Sequence, residues 1–274
     1  MCVWHRSGRR DLSQSVMSLV GPILATLALW WLSTGVILVL GRQGRTSRVV
    51  AMGVASVLAL AGLAGLWMTR DMATPVGAYI AAMSALMLWA WHEMSFLFGY
   101  ITGPNKAPCP SELTGWSRFK AATATLIHHE VALAATVGLL AIMALGAANP
   151  VGLQIFALLF ALRLSSKFNL FVGAPHFTDQ FLPERLAYLP TYFSARRPGF
   201  FFAATAGSCA IASAVFFWIA GTTTLAFETA GFALLGTLAA LGALEHIFFA
   251  SPLPDAALWR WLLPARETRR TQDL

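Results

Sequence analysis

The chain reads as an all-α, polytopic membrane protein with about seven transmembrane helices in one bundle, and three observations carry that reading. Of its 274 residues, 57% are hydrophobic. Only 11% are charged, against about 25% in an ordinary soluble domain. The apolar residues also gather into runs near the roughly 20 residues that a helix needs to cross a bilayer. These runs lie at about 17–40, 49–67, 75–100, 120–147, 151–172, 200–220 and 224–250. None alternates strictly between apolar and polar, so none is a barrel strand.

Each run has its own flanks. Ahead of the first, Arg9-Arg10-Asp11-Leu12 looks like a twin-arginine export signal, but no small-residue cleavage site closes the run. Met17 stands where a translation start would leave residues 1–16 as an extension, expected to be disordered. The second run follows Arg42, Arg45 and Arg48, and the third ends in His92, Glu93 and an aromatic stretch. The fourth opens on Arg118, Lys120, His128, His129 and Glu130, and the fifth carries Arg163 and Lys167. The last two are joined near Gly221-Thr222. Gly231, Gly236, Ala239, Ala240 and Gly242 in the seventh let helix backbones approach closely. The transmembrane domain is thus 17–251, followed by a basic tail at 252–274.

Positive charge sets the orientation. Fourteen Lys and Arg lie on one face: Arg42, Arg45, Arg48, Lys106, Arg118, Lys120, Lys167, Arg185, Arg196, Arg197, Arg260, Arg266, Arg269 and Arg270. The other face has Arg70 with Arg6, Arg9 and Arg10. This places the C-terminus in the cytoplasm of a multi-pass protein of the cell inner or an intracytoplasmic membrane. The net charge of +7 therefore belongs to loops beside the lipid bilayer, and no nucleic-acid motif accompanies it. Cys2, Cys109 and Cys209 are too few and too scattered for a disulfide framework or a thiolate metal site.

The connections near Asn149-Pro150 and Gly221-Thr222 are too short to hold a site. The cytoplasmic loops 101–119 and 173–199 are long, and Pro and Gly punctuate them. Within the second, Phe181 to Leu189 mixes apolar and charged residues as a short helix lying at the interface would. Tyr188, Tyr192, Trp259 and Trp261 are candidates for an interfacial aromatic belt.

Chemistry concentrates in His92-Glu93, His128-His129-Glu130 and Glu245-His246. Ionisable residues at membrane depth are costly and need a partner or a task. At 1.5 Å per residue all three clusters fall in the cytoplasmic half, about 9–15 Å from the helix ends. Arg163 belongs to the same layer and is the candidate counter-charge for Glu93, Glu130 or Glu245. Three readings compete. In the first, Arg163 and the histidines satisfy the carboxylates as a structural network. In the second, Glu93, Glu130, Glu245, His92, His129 and His246 hold iron, manganese or zinc. Adjacent residues diverge by about 100° on a helix, so one of each pair would act from outside the ligand set. His128, Arg163, Lys167 and Asn169 would then support it. In the third, His92 or His129 is an axial ligand of a magnesium chlorin or another tetrapyrrole. A transporter with a proton relay lacks the interrupted helix pairs that mark a substrate site. His176, a lone loop histidine, is expected in solvent.

Four segments carry a family resemblance: Leu29–Gly35; His92–Pro104; Arg118–Ala122 with His128-His129-Glu130; and Lys167–Gly173 followed by Phe181-Leu182-Pro183. Together they resemble the PuhE family, described as assembling the photosynthetic complexes of purple-type phototrophic bacteria. The resemblance runs over nearly the whole chain from about Met17. It implies a factor for building the reaction centre and its core antenna, or for setting bacteriochlorophyll supply to them. The partners it implies are reaction-centre or antenna subunits or enzymes of bacteriochlorophyll synthesis. It implies no reaction, so a membrane metalloenzyme acting on a pigment precursor stays as the alternative. The family pattern has Asn and Leu where this chain has His176 and Phe177, and His where it has Arg185. His92, Glu93, His129, Glu130 and Lys167-Phe168-Asn169 all lie in the shared motifs.

Overall fold

The computed structural model describes residues 8–177 and 182–252, with side chains from residue 18 onward. All regular structure among them is helical: α1 (Gly8–Arg42), α2 (Arg45–Thr69), α3 (Pro75–Leu97), α4 (Gly115–Thr123), α5 (Ile127–Met143), α6 (Val151–Val172), α7 (Phe200–Thr222) and α8 (Ala226–Ala250). Local signals set the boundaries. The Thr74 hydroxyl accepts the Gly77 N–H at 3.1 Å, with Pro75 in the first helical position, so α3 has a side-chain cap and loses no hydrogen bond to its proline. Gly99, at φ +79°, takes the left-handed conformation that ends α3, and the Tyr100 and Ile101 N–H groups both return to the Ser95 carbonyl. Asn149 caps the other side of the bundle: its side chain donates to the Thr69 carbonyl and accepts the Val151 N–H that opens α6.

The core is built from small residues. Ala78, Ala81, Ala82 and Ala85 of α3 pack with Leu133, Ile155, Phe156, Leu234 and Leu238. α8 is the most buried of the apolar helices, with 56% of its span inside the bundle. Gly236 lies against the Phe217 ring of α7, and its carbonyl accepts from Ser213 at 2.9 Å. Helices in lipid associate by close van der Waals packing, since no hydrophobic force drives them together. The Ala and Gly content of α3 and α8 supplies that packing.

Among the described residues, five helices are long and apolar enough to cross a membrane by length and composition, or six when α4 and α5 count as one span. Two of the seven expected runs differ in form from a straight, uniformly apolar span. The run at 120–147 is not one straight helix: α4 and α5 meet at 65° across a break at 124–126. α3 itself falls short on hydropathy because Trp89, Trp91, His92 and Glu93 sit in its second half. Its ends nevertheless lie at opposite ends of the bundle. The turn before it meets the α5–α6 turn through Asn149 N–H to the Arg70 carbonyl at 2.7 Å. Its C-terminus meets that of α1 through Arg185, which donates to the Leu97 carbonyl at 2.7 Å and the Gly41 carbonyl at 2.9 Å. With 23 residues, α3 is about 34 Å long and traverses the bundle. Removing the Arg185 guanidinium orphans two helix-terminal carbonyls. Arg185→Ala is expected to cost about 2 kcal/mol, read by thermal unfolding in detergent. An unchanged transition would mean that water caps these ends equally well.

The expected interfacial helix at 181–189 is replaced by short 3-10 turns at Glu184–Leu186 and Leu189–Tyr192. Tyr188 and Tyr192, expected in an interfacial belt, are buried. Asn105 and Ala107 of the preceding loop take the Tyr192 hydroxyl: Asn105 Nδ2 donates to it and it donates to the Ala107 carbonyl. Arg118 donates to the Tyr192 and Phe193 carbonyls. The two long loops are thereby tied together over the basic end of the bundle. Trp259, Trp261, Phe181 and the basic tail lie outside the described residues.

Gly103 sits where this loop enters the α4–α5 break. A Cβ there would stand 2.6 Å from the Thr125 carbonyl carbon and 2.7 Å from the Leu126 nitrogen. Gly103→Ala is expected to destabilise by about 1–3 kcal/mol, because the obstacle is backbone that cannot rotate away. Chemical denaturation in detergent checks this, and a neutral result would show that the break is compliant.

Candidate functional site

Polar residues of α3, α5, α6 and α8 meet in one layer near the basic end. Arg163 on α6 stands between two carboxylates, 3.3 Å from Glu93 Oε2 on α3 and 3.3 Å from Glu245 Oε1 on α8. The second Glu245 oxygen accepts from Ser166 at 2.9 Å. One turn beyond Arg163, Lys167 pairs with Glu130 at the start of α5 and lies over the Phe96 ring. Arg163 and Lys167 share a helix face at i and i+4, where like charges repel. Each cation has its own carboxylate, Glu93 for Arg163 and Glu130 for Lys167, which offsets that repulsion. Three carboxylates against two cations leave the layer one formal negative charge.

The imidazoles stand behind this row. His92 Nε2 lies 2.9 Å from Thr136 Oγ1 on α5, and that hydroxyl donates to the Ala132 carbonyl. With the Thr136 proton so used, His92 Nε2–H is the donor between them. The His129 ring lies against Phe96, centroids 4.7 Å apart, and 6.4 Å from the His92 ring. Its backbone N–H bonds the Thr102 carbonyl at 3.1 Å, which fixes the bend between α4 and α5 against the loop. His246 donates through Nδ1 to the Gly242 carbonyl at 2.7 Å, and its Nε2 lies 3.3 Å from the Ser165 hydroxyl. His128 turns outward, as does His176. Asn169 bonds Thr205 of α7 at 2.8 Å.

Several buried polar atoms have no hydrogen-bond partner among the described residues: Glu93 Oε1, Glu130 Oε2, Arg163 Nε, His92 Nδ1, both His129 nitrogens and Asn169 Oδ1. In a low-dielectric interior each such atom costs free energy.

The charged row borders a cavity of about 780 Å³. Glu93, Glu130, Arg163, Lys167 and Glu245 all line it, together with Trp30, Ser33 and Thr34 of α1 and Trp89 of α3; the rest of the wall is largely Leu, Met, Phe and Ala. Arg163 and Glu245 are half-buried, with 37% and 32% of their side chains accessible. That surface belongs to the cavity. His92, His129 and His246 do not line it.

The family model described as a protein of unknown function, DUF3623, matches residues 16–270. The chain belongs to the DUF3623 family. It is also 36% identical, over 248 residues, to an uncharacterised 30.4 kDa protein in the puhA 5′ region of Rhodobacter capsulatus, a match covering 89% of this chain and 90% of that protein. No solved structure matches it.

In this DUF3623 protein the ligand set expected for a metal is not assembled. No three His, Cys, Asp or Glu side chains among the described residues stand close enough together to hold an ion. The physical reason is the row itself: Arg163 and Lys167 occupy the space between the carboxylates, and His246 faces α6 and Gly242 instead of Glu130. Arg163 is the counter-charge of Glu93 and Glu245, whereas Glu130 takes Lys167. Ser165, Ser166, Thr136 and Thr102 were missed in the sequence reading. For the serines a signal existed, since Arg163-Leu164-Ser165-Ser166-Lys167 is a polar run inside an apolar span and i, i+3 spacing puts Ser166 beside Arg163.

Proposed function

We propose that this DUF3623 protein is an integral membrane factor for assembling bacteriochlorophyll-containing photosynthetic complexes, or for setting pigment supply to them, working through its buried Glu and His layer. The observation that carries the reading is a row of five charged side chains along the wall of one apolar cavity at membrane depth. A bundle in lipid gains little from such a row, and ionisable residues there mark functional sites by default. The photosynthetic context draws on the four motifs resembling the PuhE family and on the relative's place in the puhA 5′ region. The basic loops, on the positive-inside argument, face the cytoplasm of the inner or intracytoplasmic membrane and are the docking side for reaction-centre or antenna subunits or pigment-synthesis enzymes. The alternative, a membrane metalloenzyme acting on a pigment precursor, has less support, since no three His, Cys, Asp or Glu side chains among the described residues stand close enough to share an ion.

A strain lacking the protein is expected to lose most of the near-infrared absorbance of its reaction-centre and core-antenna complexes. Wild type should restore it. Glu245→Gln should not, although this variant keeps the Arg163–Glu93 pair and is expected in membranes at normal amounts by immunoblot. Normal absorbance in the deletion strain would overturn the reading.

A further inference from the structure

Three properties of the cavity wall define what it can hold, and they rest on the assembly reading only for the choice of probes. The cavity, at about 780 Å³, falls within the roughly 300–1,000 Å³ of small-molecule sites, and its wall is apolar with a few convergent polar groups, as theirs are. Its size and apolarity suit a mainly hydrocarbon ligand.

The second property is the accessible polar surface. The Arg163 terminal nitrogens each direct one N–H to a carboxylate, one to Glu245 and one to Glu93. A guanidinium has five N–H donors in a fixed fork, so donors remain beyond these two. Nε is buried, so the donors left for the cavity are the second N–H groups of the two terminal nitrogens, on a side chain that is 37% accessible. The fitting counterpart is an oxygen acceptor on an otherwise apolar molecule.

The third property is charge. The row already carries one formal negative charge, and repulsion between like charges is less screened beside an apolar wall than in bulk water. A carboxylate or phosphate head would face Glu245 and Glu93 as well as Arg163. A neutral carbonyl accepts from Arg163 without that repulsion.

We propose that the cavity is a binding site for a neutral, mainly hydrocarbon ligand whose ester or ketone oxygen accepts a hydrogen bond from Arg163. Esterified chlorins and isoprenoid quinones share this chemistry. The histidines behind the row then shape the wall and do not touch the ligand.

The test uses full-length protein in nanodiscs. The probes are bacteriochlorophyll a, its de-esterified free acid, ubiquinone-10 and oleate, and binding is read by quenching of the cavity tryptophans Trp30 and Trp89. Saturable binding of bacteriochlorophyll a or ubiquinone-10 is expected, and whichever binds identifies the source. The free acid and oleate should bind about tenfold or more weakly. Ala90→Phe and Met87→Trp fill the cavity from α3 and leave every charge in place. Each should weaken binding about tenfold while the thermal transition is retained. Anionic probes binding as tightly as neutral ones would overturn the proposal, as would binding indifferent to both filled variants, or no saturable binding at all. Saturable binding beside normal complexes in the deletion strain would refute the assembly role alone; missing complexes beside absent binding would refute this site alone.

Discussion

Arg163→Met should lower folding stability by about 3–4 kcal/mol, in the lower part of the range for removing one partner of a buried ion pair, because 37% of its side chain is accessible. The size of the effect comes from the carboxylates left behind. Glu93 and Glu245 both take Arg163, at 3.3 Å each. Glu93 Oε1 has no other partner. Glu245 keeps Ser166 and a third of its surface in the cavity, so most of the loss falls on Glu93. Unfolding by heat or steric trapping in detergent measures it. The triple variant Glu93→Gln, Arg163→Met, Glu245→Gln removes all three charges and should recover much of the stability, since a neutral layer strands no ion. Photosynthetic complexes should remain missing in a strain carrying that triple variant. Should Arg163→Met stay within about 1 kcal/mol of wild type, the carboxylates are satisfied by water or ligand in the cavity and the ion pairs are incidental.

Lys167→Met should come second, at about 3 kcal/mol, by the same mechanism at the start of α5. Glu130 has Lys167 on one oxygen and nothing on the other. The substitution also removes the ammonium above Phe96, a ring that packs on His129. A double-mutant cycle with Glu130→Gln isolates the pair, and a coupling of about 1–3 kcal/mol is expected. Additive losses, with coupling near zero, would mean that Lys167 matters through its contact with Phe96 and its nearness to Glu93.

These two experiments probe a layer whose members were only partly legible beforehand. The layer itself could be read from the chain, because charge inside an apolar run is rare and helical rise places each residue at a depth. His92, Glu93, Glu130, Arg163 and Glu245 followed from that arithmetic. Their pairing did not. Depth says nothing about rotation around the bundle, and adjacent residues such as Glu245 and His246 point about 100° apart. Thus Glu245 faces the cavity while His246 turns to Ser165 and the Gly242 carbonyl. Likewise nothing local distinguishes His128, which points outward, from His129, which is fully buried.

The break between α4 and α5 was equally hidden. Thr123, Ala124, Thr125 and Leu126 contain neither Pro nor Gly, so the apolar run reads as one helix. The chain bends there because the Gly103 region of the loop packs into the gap and the Thr102 carbonyl takes the His129 N–H, contacts made by residues more than 20 positions away. Burial of Tyr192 has a similar origin, since the loop that takes its hydroxyl is distant in sequence, and Tyr188 is buried in a cluster with Phe96 of α3.

The sequence by itself determined that this is a helical membrane bundle, with its positive charge gathered at one end and a charged layer beneath it. Composition, run length and helical rise are one-dimensional quantities and need no partner to be evaluated. Only the tertiary structure decided which charges meet, that the histidines stand behind the row, and that a cavity lies in front of it. Those facts depend on the rotation and separation of helices, which packing between distant segments sets and no single segment encodes.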